Sequence, residues 1–246
     1  MPSSRAARLA APALLSLALL PAPAAAVVGG VDASPGAAVM VLSSNGGVCT
    51  GIALAPDVVL TAAHCAGTGL EQRVHYRNEA GEPVLVTLAA RAVHPGYDAG
   101  AVAGRRPSVD LALLRTATPL PARFAPATLG SAQPRAGETL DLAGYGAARP
   151  GDPRSTGTFR RAALSVVEPH GPSRILVWLR APAGKAGGCQ GDSGGPVTAP
   201  GGAVVAVTAW IGGACGGLTQ GVRLGPQRPW LDRTLQGWDR AARWAD

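Results

Sequence analysis

Three short stretches of this chain hold residue types that together can attack a carbonyl. Gly191-Asp192-Ser193-Gly194-Gly195-Pro196 sets a serine between glycines. A serine hydroxyl is a weak nucleophile until a neighbouring base takes its proton. It must also sit on a tight turn whose backbone N–H groups face the developing oxyanion, and flanking glycines permit such a turn. Thr61-Ala62-Ala63-His64-Cys65 supplies a base, and Asp110-Leu111-Ala112-Leu113-Leu114 opens an apolar run with a carboxylate. A half-buried aspartate needs a partner, and an imidazole N–H is a suitable one. The chemistry predicted is acyl transfer, with Ser193 as nucleophile, His64 as base and Asp110 as the group that orients His64.

Chain order separates this reading from its rivals. Gly191-Asp192-Ser193-Gly194-Gly195 also fits G-x-S-x-G, the nucleophile elbow of α/β-hydrolases. That fold needs its histidine after the serine, whereas His64, His75, His94 and His170 all precede Ser193. A subtilisin-like order would draw on Asp32 or Asp57 before His64, and the strand-rich pattern argues against it. Asp98 competes for the orienting role, but it stands among turn residues in His94-Pro95-Gly96-Tyr97-Asp98. His75, His94 and His170 have no partner motif and read as surface or loop.

Short strands have to position these residues. Residues 39–42, 48–54 and 58–61 read as strands, the last two joined by the turn Ala55-Pro56-Asp57. Further apolar runs follow at 84–92, 111–114, 139–143, 161–167 and 175–179. Residues 197–198 and 204–210 flank Ala199-Pro200-Gly201-Gly202, a hairpin signal. Strands recurring this often without intervening helical patterns predict antiparallel barrels or a sandwich. The exception is the C-terminus, where Pro229 can open a helix and Leu231, Leu235, Trp238 and Ala242 recur on one face.

The 246 residues suffice for one large all-β domain or two small ones. With 47% hydrophobic and 15% charged residues, the composition excludes a disordered chain despite its many glycines and prolines. Residues 1–26 read as a signal peptide: Arg5 and Arg8 precede an apolar run from Leu9 to Leu20, and Ala24-Ala25-Ala26 offers a cleavage site. That run is too short to span a bilayer, and no membrane association is expected once the signal is removed. Arg5 and Arg8 carry two of the net positive charges, leaving +5 of the formal +7 for residues 27–246. No dense basic run interleaves with aromatics, so the charge reads as solvated surface and not as a nucleic-acid site. Cys49, Cys65, Cys189 and Cys215 follow an export signal, which predicts two disulfides in any of three pairings. Their spacing fits no zinc pattern, and no metal site is expected.

Taken together, the chain resembles a chymotrypsin/trypsin-like serine protease, in the style of a secreted bacterial member, from Val27 to the C-terminal helix. Thr61–Cys65, Asp110–Leu114 and Gly191–Pro196 are similar to the family's histidine, aspartate and serine motifs, and Val27-Val28-Gly29-Gly30 to its mature N-terminus. Gly144-Tyr145-Gly146 resembles a segment whose middle residue is usually Trp. The resemblance implies an all-β fold of two six-stranded antiparallel β-barrels with a C-terminal α-helix. One protease domain would cover 27–246, its halves meeting near 120–135. It also implies the pairings Cys49–Cys65 and Cys189–Cys215.

The resemblance further implies an oxyanion hole from the N–H groups of Gly191 and Ser193, and an activating pair between a freed Val27 amine and Asp192. Signal cleavage after Ala26 would expose Val27 directly, without a zymogen stage. Gly187, six residues before Ser193, falls at the base of the specificity pocket, where trypsin-like members carry Asp, so Arg/Lys selectivity is not expected. Trp210 and Ile211 fall on one pocket wall, where Ile in place of Gly narrows the entrance, and Gly221 on the other. Small or medium apolar side chains are the expected fit. Ala209 stands where the family segment has Ser, which weakens support for the aspartate. The implied protein is a secreted, monomeric endopeptidase acting on protein or peptide substrates without a cofactor. The alternatives are a protease-like binding protein that has lost catalysis, and an esterase.

Overall fold

The computed structural model describes residues 27–104, 106–182 and 185–245; the expected signal segment, 1–26, lies outside the described residues. In the first half, β1 (Val31–Asp32) leads to β2 (Ala38–Ser43), β3 (Val48–Ala55), β4 (Val58–Thr61), β5 (Gln72–Arg77), β6 (Pro83–Val86) and β7 (Leu88–Val93). The four-residue α1 (Ala101–Gly104) then precedes β8 (Ala112–Thr116). In the second half come β9 (Thr128–Gly130), β10 (Thr139–Gly144), β11 (Arg160–Val167), β12 (Leu176–Arg180) and β13 (Pro196–Thr198). These are followed by β14 (Val204–Gly212), β15 (Leu218–Arg223), α2 (Arg228–Gln236) and β16 (Arg243–Ala245).

The strands form two barrel-like sheets, as expected for the all-β class. The first runs β6-β5-β2-β3-β4-β8-β7, and Thr87 alone separates its two end strands, β6 and β7. The single run expected over 84–92 is thus two strands bent at Thr87. In the second sheet β13-β10-β11-β12-β15-β14 closes on itself through β13–β14 pairing. The extra strand β1 adds to β11, while β9 and β16 pair in parallel beside β14. A strand at Gln72–Arg77 was not anticipated. Its polar and charged residues hide an inward face of Gln72, Val74 and Tyr76 that alternates with Arg73, His75 and Arg77.

Period-two alternation also explains how both faces of β8 are used. Leu113 faces the core between the two sheets, together with Leu111 just before the strand, while Ala112 and Leu114 face the interior of the first sheet. All four are fully buried. A buried leucine of this kind contributes about 1.5–3 kcal/mol. The inter-sheet core takes Ile52, Leu54 and Leu60 from one side and Val207, Ala209 and Val222 from the other. Leu231 and Leu235 of α2 complete it. The helix is shorter than its apolar pattern predicts: the turn at Gly237 and the left-handed Asp239 (φ 56°) end it, yet Trp238 and Ala242 still pack on the same core.

The C-terminal segment is also held by charge. Asp57, in the buried turn between β3 and β4, accepts hydrogen bonds from Arg240 Nε at 2.7 Å and Nη2 at 3.0 Å, and from Arg115 Nε at 3.1 Å. Burial pushes the Asp57 carboxyl up, but hydrogen bonds and charge from Arg240 and Arg115 outweigh it and hold the group below its ordinary value. An acid depressed in this way stabilises the fold at neutral pH and loses that contribution as pH falls through its folded value. Arg240→Met is therefore less stable than wild type to denaturant at pH 7, and the gap narrows as pH drops below 3.8. A gap of equal size at pH 7 and pH 2 would contradict this assignment.

Candidate active site

His64 sits on a single 3-10 turn, Ala63–Ala66, just after β4, and the Cys49–Cys65 disulfide ties that turn to β3. The residue presents 38% of its side chain to solvent, against 16% for Asp110. Both Asp110 oxygens are committed to His64: Oδ1 accepts its backbone N–H at 2.9 Å, and Oδ2 lies 2.7 Å from Nδ1. An ionised acceptor on that side keeps the proton on Nδ1 and leaves Nε2 free to act as a base. Ala209, buried in the inter-sheet core, adds no bond to the carboxylate. Asp98, the competing candidate, is engaged elsewhere. It accepts from Arg106 Nε and Nη2 at 2.8 and 2.6 Å and from Gly100 N–H at 2.8 Å, contacts that hold its carboxyl below the usual range. The other histidines also have separate settings, His75 against the Val84 carbonyl, His94 on Trp230 and His170 on Trp178.

Across the cleft, Ser193 lies in a turn fixed by the Cys189–Cys215 disulfide. Gly191 and Gly194 have φ of 99° and 85°, which favours glycine. A Cβ on Gly194 would come within 2.1 Å of the Thr50 carbonyl oxygen and of Thr61 Oγ1. The N–H groups of Gly191 and Ser193 donate to nothing among the described residues, while Gly194 N–H donates to Thr208 O at 2.7 Å and Gly195 N–H to Asp192 O at 2.9 Å. Ser193 and His64 line one cavity of about 300 Å³. No hydrogen bond joins Ser193 Oγ to His64 here, and such bonds commonly tighten only when substrate is bound.

Thr50 is a functional residue that sequence reasoning overlooked. It is fully buried on β3, and its N–H donates to Ser193 O at 2.8 Å. Its hydroxyl donates to Gly191 O at 2.8 Å and accepts from Tyr145 N–H at 3.0 Å. Its carbonyl accepts from Thr61 Oγ1 at 2.7 Å. One side chain of the first sheet thus pins the serine turn of the second. The available signal was a polar, β-branched residue directly after Cys49 inside an otherwise apolar strand.

Asp192 is fully buried, and its carboxylate accepts from Gly146 N–H at 2.8 Å and Cys189 N–H at 2.9 Å. No cation pairs with it among the described residues. Burial pushes its carboxyl up to about 7 in spite of those two hydrogen bonds. The carboxylate also explains Gly144-Tyr145-Gly146: a Cβ on Gly144 or Gly146 would come within 2.3 or 2.5 Å of its atoms. Val27 is fully buried beside the second-sheet core with φ 47°, and Val28 O accepts from Gly187 N–H at 3.0 Å. The Val27 nitrogen here is a peptide nitrogen following Ala26, and no bond joins it to Asp192.

The structure divides the four residues expected at the pocket. Trp210 and Ile211 line the cleft; Gly187 and Gly221 do not. Gly221 faces Ala206 and Val177 in the barrel interior, because alternation along β15 gives its cleft position to Gln220. Gly187 packs on Gly216 and Gly217. The room expected deeper in the pocket at Gly221 is therefore taken by the barrel.

Thr50→Val keeps the volume of the side chain but leaves Gly191 O and Tyr145 N–H without their partner. A buried group left unpaired in this way costs about 1–3 kcal/mol. Denaturant unfolding should show that loss, whereas Thr50→Ser should retain most of the stability; equal stability of Thr50→Val and wild type would remove Thr50 from its pinning role.

Residues 27–225 match the protein family described as Trypsin. Kallikrein 1-related peptidase b27 of Mus musculus is 27% identical over 195 residues, spanning 70% of this chain and 73% of its own. Kallikrein-15 of Homo sapiens is 27% identical over 197 residues, or 71% of this chain and 69% of its own. The solved structure of neuropsin, a serine protease expressed in the limbic system of mouse brain, overlays with a TM-score of 0.71 at 21% identity, covering 85% of this chain and 99% of that one. Human heparin binding protein gives 0.71 at 24% identity over 85% and 97%. These are animal proteins and lend no support to the bacterial style expected from the sequence. A match running through both sheets, the His64–Asp110 pair and the Ser193 turn identifies the chain as a member of the trypsin family of serine proteases.

Proposed function

We propose that this chain is a secreted serine endopeptidase that hydrolyses peptide bonds through an acyl-enzyme on Ser193. The observation that carries the reading is the His64–Asp110 pair facing Ser193 in one cleft, beside two undonated N–H groups at Gly191 and Ser193. His64 takes the Ser193 proton as Oγ attacks the scissile carbonyl, then gives it to the leaving amine; water reverses the sequence to release the acyl group. Asp110 holds the imidazole tautomer and stabilises its charged form. The Gly191 and Ser193 N–H groups receive the oxyanion. No cofactor enters this scheme, and a monomer suffices for it. Residues 1–26 act as the export signal, and two disulfides suit an oxidising destination.

Substrates with Arg or Lys before the scissile bond are disfavoured, because among the described residues no free carboxylate lines the cleft: Asp110 is bonded to His64 and Asp98 to Arg106. Ile211 lines the cleft, and a branched side chain there suits short apolar substrate residues. The fold by itself does not establish hydrolysis, since one similar structure is a heparin binding protein. A fluorophosphonate probe should label wild type and not Ser193→Ala. Ser193→Ala, His64→Ala and the double variant should lose activity to nearly the same floor, because the groups act as a unit. Labelling of Ser193→Ala, or none of wild type, would favour the binding-protein reading; a peptide-library digest separates peptidase from esterase.

Activation follows from the uncompensated Asp192. Cleavage after Ala26 frees an amine at Val27, and a buried ammonium–carboxylate pair then locks the turn that carries Gly191 and Ser193. Without it, Asp192 has a folded pKa near 7 against an ordinary 3.8, so its protonated form stabilises the fold below about pH 4 and that stability is lost as pH rises through 7. A chain beginning at Ala25 should lose stability over this range, one beginning at Val27 should not, and Asp192→Asn should flatten the longer chain's profile. An active secreted species whose first residue is Ala25 would overturn the scheme.

A further inference from the structure

A second cavity, of about 600 Å³, shares no lining residue with the catalytic cleft and is the larger of the two. Its volume lies in the range that small organic ligands occupy. Both phenylalanines and two of the three tyrosines of the chain line it: Tyr76, Phe124, Tyr145 and Phe159. The rings come as two tilted pairs, with centroids 5.3 Å apart for Tyr76 and Phe124 and 5.0 Å for Tyr145 and Phe159. One pair packs on the interior of the first sheet, the other on Ala38 and Ala143, where the sheets meet. Tyr145 is held at both ends, its N–H donating to Thr50 Oγ1 at 3.0 Å and its hydroxyl to Ala38 O at 3.2 Å. Such rings are fixed before a ligand arrives, which lowers the entropy cost of binding.

Charge at this cavity has one sign. Arg77 and Arg123 line it, and both are exposed. Each is tethered by one bond: Arg77 Nη1 donates to Gly81 O at 2.6 Å, and Arg123 Nη2 donates to the Arg77 carbonyl. The Arg123 guanidinium also lies over the Tyr76 and Phe124 rings, 5.4 and 4.8 Å from their centroids. Neither arginine pairs with a carboxylate among the described residues, and Asp32, the acid lining the cavity, is taken by Arg160. A guanidinium carries five N–H donors, so both groups keep donors for an incoming anion. An exposed ion pair alone adds little affinity. The rings therefore supply most of the binding, and the guanidinium groups supply the choice of charge.

We propose that this cavity is a second ligand site, which takes a small aromatic acid. The ring body of the ligand lies among the four aromatic side chains, and its carboxylate meets the guanidinium groups of Arg77 and Arg123. A neutral aromatic molecule gains only the first of these contacts, and an aromatic amine meets like charge. The site stands independently of the endopeptidase reading, because none of its lining residues belongs to the catalytic cleft.

Titration calorimetry on the full chain tests it with three compounds. Naphthoate carries rings and charge, naphthamide keeps the rings without the charge, and acetate keeps the charge without the rings. Naphthoate should bind about five-fold or more tighter than naphthamide, and about 100-fold or more tighter than acetate. Arg77→Gln combined with Arg123→Gln should bring naphthoate and naphthamide to nearly equal affinity, whereas Arg77→Lys with Arg123→Lys should keep the preference. Arg233→Gln combined with Arg243→Gln removes the same charge from residues outside the cavity and should leave the preference intact. Thermal unfolding of each variant reports an intact fold. Wild type that binds naphthoate and naphthamide equally, or binds neither, would overturn the site. So would a preference that survives in the Arg77/Arg123 glutamine variant, or one that disappears in the Arg233/Arg243 variant.

Discussion

Thr50 couples the two sheets at the point where their geometry has to agree. Its hydroxyl reaches Gly191 across 141 positions of sequence, and its backbone N–H reaches Ser193. His64 arrives from the same sheet as Thr50, through β4 and the disulfide to Cys49. Asp110 arrives from the strand beside β4, because β8 pairs with it in antiparallel register. His64 and Asp110 therefore stand on loops of one sheet, while Ser193 stands on a turn of the other. Without a rigid tie between sheets, Ser193 would be free to drift relative to His64. A buried threonine whose donors and acceptor are all satisfied is such a tie, since any displacement strands a polar group away from water.

The same region carries an electrostatic cost. Among the described residues no cation pairs with buried Asp192, and two backbone N–H groups partly offset its desolvation. Gly144 and Gly146 exist as glycines because the carboxylate occupies the space a Cβ would fill. The fold thus builds a rigid cradle for a carboxylate that has no counter-charge among the described residues. Under the proposed scheme, a backbone cut supplies that charge and the cost becomes a lock. In that scheme the coupling runs from covalent chemistry at Val27 through burial at Asp192 to the conformation of Gly191 and Ser193.

Cleft shape depends on strand alternation more than on motif identity. The glycine at 221 leaves no opening because it faces the barrel interior, whereas Ile211 and Thr208 on the adjoining strand meet the cleft.

The all-β class, most strands, the His64, Asp110 and Ser193 motifs and the C-terminal helix were legible in the sequence, because each is written in local pattern: alternation, turn residues, or glycines beside a serine. Chain order alone removed the α/β-hydrolase alternative. The strand at Gln72–Arg77 was not legible, since its inward positions are occupied partly by Gln and Tyr. The helix end at Gln236 was misread because Trp238 and Ala242 keep facing the core after the helix has stopped. Tertiary structure decided what depends on partners distant in the chain. It placed Asp110 against His64 and Asp98 against Arg106, made Thr50 the inter-sheet tie, and turned Gly221 away from the cleft. Residue type and spacing carry the chemistry that a chain can perform; only the packing of one sheet on the other determines which polar groups find partners distant in the sequence.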